Sequence, residues 1–497
     1  MLLLKQSEKS INVEGIINIF NESKGLMEGT NLEKITIYHT NDIHSHLDTW
    51  PRTAEFLRSQ RSLHMGRSED CFIFDIGDAC DRVHPLTEAT EGRSMTRLLN
   101  EAEYDAVTIG NNEGIGSTKD QLDHLYDQAN FQILLSNLKD KVTGKAPEWA
   151  KPIKIYRTKE QTRIGVIACT IPLRVSYGPL GWDVEDPFDS IREKLTQYDD
   201  MIDNWILLSH LGIDYDRKIA ETFPSLDVII GAHTHHLLPN GERINQTLLT
   251  GAGKFGEHIG QIDLYFEHHT VKLAEAKVIN LLTDIEPVKN EKGLVKEYIQ
   301  FGHELLQEQK IAEIPENFLV DWKTCTNFVK IGMDAISDYA ETETAILNAG
   351  LFLQPLIEGS VTNDDLHRAL PHPMRVLKYK MSGKVFKKLL LSMESEKERL
   401  QPLPIKGLGF RGEVFGQLCY KGIDIIEGSK ILIHGKELDE EKRYTVASVD
   451  HYLFVPFFPE ISKESEYEVL FPHFLRKIIG NYLKKRYPIN KEQEGVI

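Results

Sequence analysis

A chain of 497 residues is longer than one ordinary hydrophobic core sustains, so two substantial units are expected, and 41% hydrophobic residues supply interiors for both. The formal charge of −17 excludes broad attraction to a nucleic-acid backbone or an anionic membrane, and an anionic substrate would need a local trap such as a metal pair or a few arginines. The five cysteines are scattered, odd in number and without a CxxC pair, so no disulfide framework is expected.

The opening MLLLKQSEK is too short an apolar run for a signal-peptide core, and no later run is long enough to span a bilayer, which predicts a cytoplasmic protein. Residues 1–33 read as a flexible leader, and Met27 offers an alternative start just before the first convincing strand. From Lys34 to about Leu282 short apolar runs recur, namely ITIY, CFIFDI, AVTI, FQILLS, RIGVIA, NWILLS, DVIIG, TLLTG and QIDLYF. Their length, β-branched content and flanking glycines predict buried strands. Helices are expected over Thr53–Leu63, Met95–Glu101 and Ser190–Asp200, which together give a layered α/β unit over 34–282. Residues 283–313 turn charged and helical and read as an interdomain helix. A second unit, 314–497, is expected to hold helices over Asn327–Thr342 and Gly383–Glu396, strands near Thr344–Asn348 and Arg375–Met381, and a lysine-rich terminal helix whose charges are solvated.

Chemistry-bearing residues fall just after the apolar strands, where ligands collect in open α/β sheets. In order they are Asp42 and His44 in HTNDIHSH, Asp78 in FDIGDAC, Asn111 in TIGNNEG, His210 in LLSHLG, and His233 with His235 in GAHTHH. Residues two apart can share one face of an extended segment and chelate one centre. Imidazoles with carboxylate and amide oxygens suit divalent Mn, Zn, Co or Fe, and the lack of thiolates disfavours a structural zinc cage. Seven candidates exceed what one four-coordinate ion takes, whereas two ions bridged by a carboxylate account for them. Each fragment alone reads equally well as a helix cap or turn; together they do not.

The ordered set HTNDIH, GD, GN, SHLG and GAHTH resembles the calcineurin-like metallophosphoesterase domain of the 5'-nucleotidase family, across roughly residues 34–282. The resemblance implies a layered β-sandwich flanked by helices, followed by a smaller α+β substrate domain. It implies that Asp42, His44, Asp78 and His235 hold one ion, that Asp78, Asn111, His210 and His233 hold the other, and that a hydroxide shared by the two attacks phosphorus. His46 and His236 lie beside ligand candidates and read as solvated or supporting histidines, as does His124. Arg82 and His84, close behind Asp78, are candidates for contacting a phosphate.

The second unit resembles the family's carboxy-terminal domain through AILNAG at 345–350, the segment Leu370–Gly383 and KRYTVAS at 442–448. Asn348, Tyr452 and Phe454 are the substrate-contact candidates there. The family's arginine five residues after the Asn is Leu353 in this chain, and the stretch VPFFPE replaces a Gly-Gly-Asp-Gly segment. Arg82 could partly stand in for that arginine.

The largest departure is GNNEGI where the family carries GNHExD. Asn112 replaces a histidine that protonates the departing oxygen, and Ile115 replaces the aspartate that orients it. An amide donates a hydrogen bond but transfers no proton near neutral pH, and losing a general acid costs about 10² to 10⁴ in rate. The expected function is hydrolysis of nucleotides or related small phosphate esters, with a nucleotide sugar or cyclic nucleotide fitting a reduced need for protonation. The competing expectation is a metal-containing nucleotide-binding or regulatory protein with reduced catalysis. Neither reading calls for a nucleic-acid polymer or a membrane as partner.

Overall fold

The strands buried on both faces set the architecture. In Asn204–His210 every side chain of NWILLSH is buried, and alternate residues serve different interiors: Ile206 and Leu208 face one core, Trp205 and Leu207 another. Such runs need cover on both sides of the sheet. The computed structural model, which describes residues 32–407, 409–426 and 428–489, supplies that cover as four layers. The expected leader falls almost wholly outside the described residues.

Two six-stranded sheets pack face to face. In spatial order the first runs Thr270–Asn280, His258–Glu267, Glu33–Thr40, Asp70–Asp75, Ala106–Val107 and Gln132–Ile133, and the second runs Glu242–Ile244, Thr247–Thr250, Leu226–Gly231, Asn204–His210, Arg163–Thr170 and Ile153–Arg157. Ile35, Ile37 and Phe74 of the first sheet meet Val166, Ile206, Leu208 and Ile230 of the second. The helices Trp50–Gly66 and Arg93–Glu101 cover the outer face of the first sheet, and Pro187–Tyr198 and Ile213–Thr222 that of the second. Each expected strand and helix of this unit is present. The strand Thr270–Asn280 was not anticipated, because its sequence TVKLAEAKVIN buries only Ala274 fully and carries polar residues along the sheet edge.

The helix Glu291–Gln307 connects to a second unit and packs on Pro85–Ala89, Trp50–Gly66 and Asn363–Ala369, touching both units. Gly302 permits that contact, since a Cβ there would collide with the backbone of Pro85 and Leu86. The second unit is built on a five-stranded sheet ordered Leu418–Lys421, Thr344–Asn348, Arg443–Val449, Arg375–Ser382 and Glu466–Phe474. Helices Asn327–Ala340, Gly383–Leu400 and Leu475–Arg486 share its core.

Cys325 and Cys419 form a disulfide with Cα atoms 5.7 Å apart, against the expectation that the cysteines stay unpaired. Spacing along the chain gave no sign of it because the partners are 94 residues apart and meet only when the segment before Asn327–Ala340 reaches the edge strand. Cys71, Cys80 and Cys169 are free. No helix among the described residues is long and apolar enough to cross a membrane.

Candidate metal centre

The candidate ligands come from the ends of five parallel strands or the loops just after them, so the sheets converge them without a long search through the chain. Thr40, Asp75, Val107, His210 and Gly231 end those strands. Asp42 and His44 were expected to alternate along extended backbone, as were His233 and His235. Instead the chain turns sharply: Asp42, His44, Asp78, His233 and His235 adopt φ of 51°, 49°, 53°, 72° and 58°. Left-handed backbone is uncommon outside glycine, though Asp and His enter it more readily than branched residues. Chelation here rests on turn geometry, not strand alternation.

The ring nitrogens and carboxylates meet closely. His44 Nε2 lies 3.2 Å from His235 Nε2 and 3.8 Å from Asp42 Oδ1, and His235 Nε2 is 3.5 Å from the same oxygen. Asp78 Oδ2 lies 3.8 Å from His44 Nε2 and 3.5 Å from His210 Nε2, so one oxygen stands between the two histidine groups. Two constellations capable of holding an ion result, Asp42–His44–His235 and Asp42–Asp78–His210. His233 Nδ1 contacts Asn111 Oδ1 at 2.9 Å and its ring leans on that of His210.

The fit to a cation is tested by His210. Its Nδ1 is bonded to the Ile76 carbonyl at 2.7 Å, which fixes the ring and aims Nε2 at Asp78. That Nε2 is fully buried and has no hydrogen-bond partner. A buried polar atom without a partner is costly, and a divalent ion is the partner that nitrogen and carboxylate donors together favour. Burial opposes the charged forms of both Asp78 and His210, but their mutual attraction, helped by His44, holds the carboxyl below its ordinary range and the imidazole above its own.

Residues that the sequence reading left out hold this arrangement. Glu113, the acid of GNNE, is buried and accepts from the backbone amides of Asp78, Gly110 and Cys80, at 2.9, 2.9 and 2.8 Å. Burial and then Asp78 push its carboxyl up to about 6. Asn41 donates to Asp42 Oδ2 at 2.9 Å and to the Gly253 carbonyl at 2.8 Å. Gly110 must lack a Cβ, which would run into the Asp78 carboxylate and the His210 ring. The position of Glu113 directly after the two asparagines was the available signal for its role.

Asn112 stays within the centre. Its backbone N–H donates to Asp78 Oδ1 at 2.7 Å, and its Nδ2 donates to the Cys80 carbonyl at 2.8 Å and pairs with His44 Nδ1 at 2.9 Å. Ile115 packs against the apolar core beside it, and its carbonyl accepts from Arg375. The other candidates are placed elsewhere. The Arg82 guanidinium is engaged by Gln121 at 2.9 Å and by Glu88 at 3.5 Å. His84 caps the helix Pro85–Ala89 through Nδ1, and burial lowers it to about 4. Asn348 and Tyr452 are fully buried and bonded to each other at 3.0 Å, while Phe454 is 62% exposed.

The second unit instead sends Arg411 to the centre. Its Nη2 donates to Asp81 Oδ2 at 3.2 Å, three residues beyond Asp78. His372 accepts the Arg411 backbone N–H at 2.9 Å and donates from Nε2 to the Leu351 carbonyl at 2.8 Å. Phe410 lies stacked between the rings of His372 and His451, with centroids 5.2 and 5.6 Å away. His46 is stacked on Phe255 at 3.9 Å and is lowered chiefly by burial.

The family model for calcineurin-like phosphoesterases matches residues 35–237, and that for the 5'-nucleotidase C-terminal domain matches residues 310–454. The chain is 35% identical over 459 residues to YunD of Bacillus subtilis, described as an uncharacterized metallophosphoesterase, covering 90% of this chain and 98% of that one. Among solved structures, a putative 5'-nucleotidase from Staphylococcus aureus in complex with alpha-ketoglutarate matches with a TM-score of 0.61 at 15% identity, over 91% of this chain and 97% of its own. The NAD nucleotidase of Haemophilus influenzae matches with a TM-score of 0.59 at 15% identity, over 92% and 97%.

Proposed function

The chain belongs to the calcineurin-like metallophosphoesterases that carry a 5'-nucleotidase C-terminal domain, and from that premise we propose that it hydrolyses nucleotides or related small phosphate esters. It is a phosphoric ester hydrolase that uses two divalent metal ions. The carrying observation is the convergence of both histidine groups on Asp78 Oδ2, with His210 Nε2 buried and unpartnered. In this reading Asp42, His44, Asp78 and His235 hold one ion and Asp78, Asn111, His210 and His233 the other. Bound there, a pair of divalent ions lowers the pKa of water enough to supply a nucleophile near neutral pH and offsets the charge of the phosphate oxygens.

The chain's own groups do the rest. Asp78 spans the two sets, while Glu113 and Asn41 fix the loops that present Asp78 and Asp42. Arg411 offers the planar pair of donors that phosphate oxygens accept, taking the place left by Leu353, with His372 holding its backbone. Asn112 lies against His44 and, being an amide, transfers no proton to a departing oxygen, which favours substrates whose leaving group departs without one, such as a phosphoanhydride in a nucleotide sugar or dinucleotide. We place the metallophosphoesterase unit at 34–282, the connecting helix within 283–313 and the substrate unit at 314–497, with a role in nucleotide catabolism.

The test is to strip the metal, restore Mn, Zn, Co, Fe or Mg singly, and measure phosphate release from nucleoside monophosphates, nucleotide sugars, dinucleotides and cyclic nucleotides. Release from at least one class, restored by a metal, is expected. Two bound ions with no turnover of any ester would transfer the protein to the regulatory, nucleotide-binding reading. The cytoplasm is the proposed location. The bond between Cys325 and Cys419 stands against a reducing compartment, so finding it intact after alkylation in freshly lysed cells would assign an oxidising compartment instead.

A further inference from the structure

A second concave site lies away from the candidate ligands, none of which lines it. The cavity holds about 600 Å³ between the loop after Asp78, the end of the connecting helix and the carboxy-terminal helix. Arg82 and Arg93 face it from the first unit, Lys310 from the end of the connecting segment, and Arg476, Lys477 and Lys484 from the second unit. Against these six cations stand Glu88 and Glu91. In a chain of net charge −17 this concentration of positive charge runs against the average.

The two carboxylates do not neutralise it. Glu88 is shared by Arg476 at 2.9 Å and Arg82 at 3.5 Å, and Glu91 pairs with Arg93 at 3.4 Å. Among the described residues Lys310, Lys477 and Lys484 have no carboxylate partner. Neighbouring histidines register the field: His473, on the cavity wall, is lowered by burial and then by Lys477 and Arg375, and His367 by burial and then by Arg476. The helix Leu475–Arg486 also starts with Arg476 and Lys477 and has no acid in its first turn, an order that its own dipole opposes.

We propose that this cavity binds an oligophosphate, a compact anion with three or more negative charges that bridges the two units. The volume suits a small ligand, with walls drawn from five stretches of chain, 82–93, 116–121, 306–311, 363–366 and 472–484. Cations spread over separate elements call for a row of charges, which a single phosphate lacks. Binding across the cleft would also hold Lys477 and Lys484 of the second unit to Arg93 of the first.

The experiment is isothermal titration of the full chain, treated with chelator, using inorganic tripolyphosphate as the probe. Saturable binding of one tripolyphosphate per chain is expected, weakening steeply as salt rises. Lys310→Glu, Lys477→Glu and Lys484→Glu together should weaken it at least about tenfold, while Lys430→Glu with Lys436→Glu, on a different sheet, should leave it unchanged. The three lysines are exposed and, among the described residues, without a carboxylate partner, so the variant should melt at the same temperature without probe; if it does not, Lys477→Gln alone is titrated and should still weaken binding. An arm with adenosine triphosphate separates the sources: equal affinity assigns the phosphate chain alone, tighter binding assigns a nucleotide, and both support the site. Absence of saturable binding up to about 1 mM probe, unchanged affinity in the lysine variants, or sulfate binding as tightly as tripolyphosphate would overturn it. Because the chelated protein carries no ions, these outcomes are independent of the esterase reading.

Discussion

Asn112 stands where the family resemblance implies a histidine, and its side chain is already engaged: Nδ2 on the Cys80 carbonyl and His44 Nδ1, Oδ1 on the Asn111 amide. Asn112→His alone therefore gives up the bond to Cys80 and the support of His44 without gaining a carboxylate to orient the new ring. Asn112→His with Ile115→Asp should raise hydrolysis of a nucleoside monophosphate by about 10² and that of an activated aryl phosphate far less, because only the first leaving group needs a proton. The gain of the double variant is compared with the product of the single gains on each ester; equal gains on both esters would mean that no acid is missing. Arg411 makes a different prediction. Arg411→Ala should raise KM at least about tenfold with kcat less affected, and Arg82→Ala should raise it less, since the Arg82 guanidinium is turned to Gln121 and Glu88. Steady-state kinetics on one nucleotide decides the order. The clustering of Asp42, His44, Asp78, His210 and His235 was legible because these residue types recur after apolar strands. Arg411 was not, since a lone arginine in the glycine-rich stretch 407–412 carries no pattern, and its reach to Asp81 exists only once two units 330 residues apart have folded.

Whole elements were read best where both faces are buried. NWILLSH and RIGVIA present unbroken apolar runs, and the sheet packs both sides of them. Reading failed where polarity hides pairing, as in Thr270–Asn280 and in Glu466–Phe474, whose side chains are all at least partly exposed. The ligand loops were misread as extended for a related reason, since spacing alone cannot separate a pleat from a left-handed turn. The link between Cys325 and Cys419 adds a testable term at this scale. It closes a loop of 94 residues around the strand Thr344–Asn348 and the helix Gly383–Leu400. Cys325→Ser with Cys419→Ser should lower stability by about 2–5 kcal/mol relative to the oxidised protein, read as a shift in urea midpoint, and should match the reduced wild type. Identical midpoints in all three would show that the two thiols are not bonded in solution.

At the scale of the molecule, the two units are joined by charge as well as by the connecting helix. Glu88 of the first unit takes Arg476 of the second, and although burial opposes its charge, Arg476 and Arg82 hold its carboxyl below the ordinary range. A depressed carboxyl adds stability above its unfolded pKa, near 4.3, and that contribution is lost as pH falls through the lower folded value. The interface should thus loosen only in acid, and Glu88→Gln should remove that part of the acid dependence while weakening the interface at neutral pH. Melting temperature followed from pH 3 to 7 on both proteins checks this; superimposable profiles would show that Glu88 contributes nothing.

The five left-handed residues among the proposed ligands carry a consequence for the life of the protein in a cell. Each such residue costs about 1–3 kcal/mol when nothing compensates it, and ions bound only by the folded chain offset that cost in proportion to their supply. Melting temperature should climb with ion concentration, by the equivalent of about 4 kcal/mol at a thousandfold excess over Kd. In chelated protein, amide exchange should accelerate first at 41–46, 77–82 and 231–236; uniform exchange with and without ions would uncouple the turns from metal. Where they are coupled, scarcity of the ion starves the cell of the protein itself as well as its turnover, because the empty fold is the one that proteases open first. Abundance then becomes a gauge of metal supply, set by post-translational turnover and needing no sensor of its own.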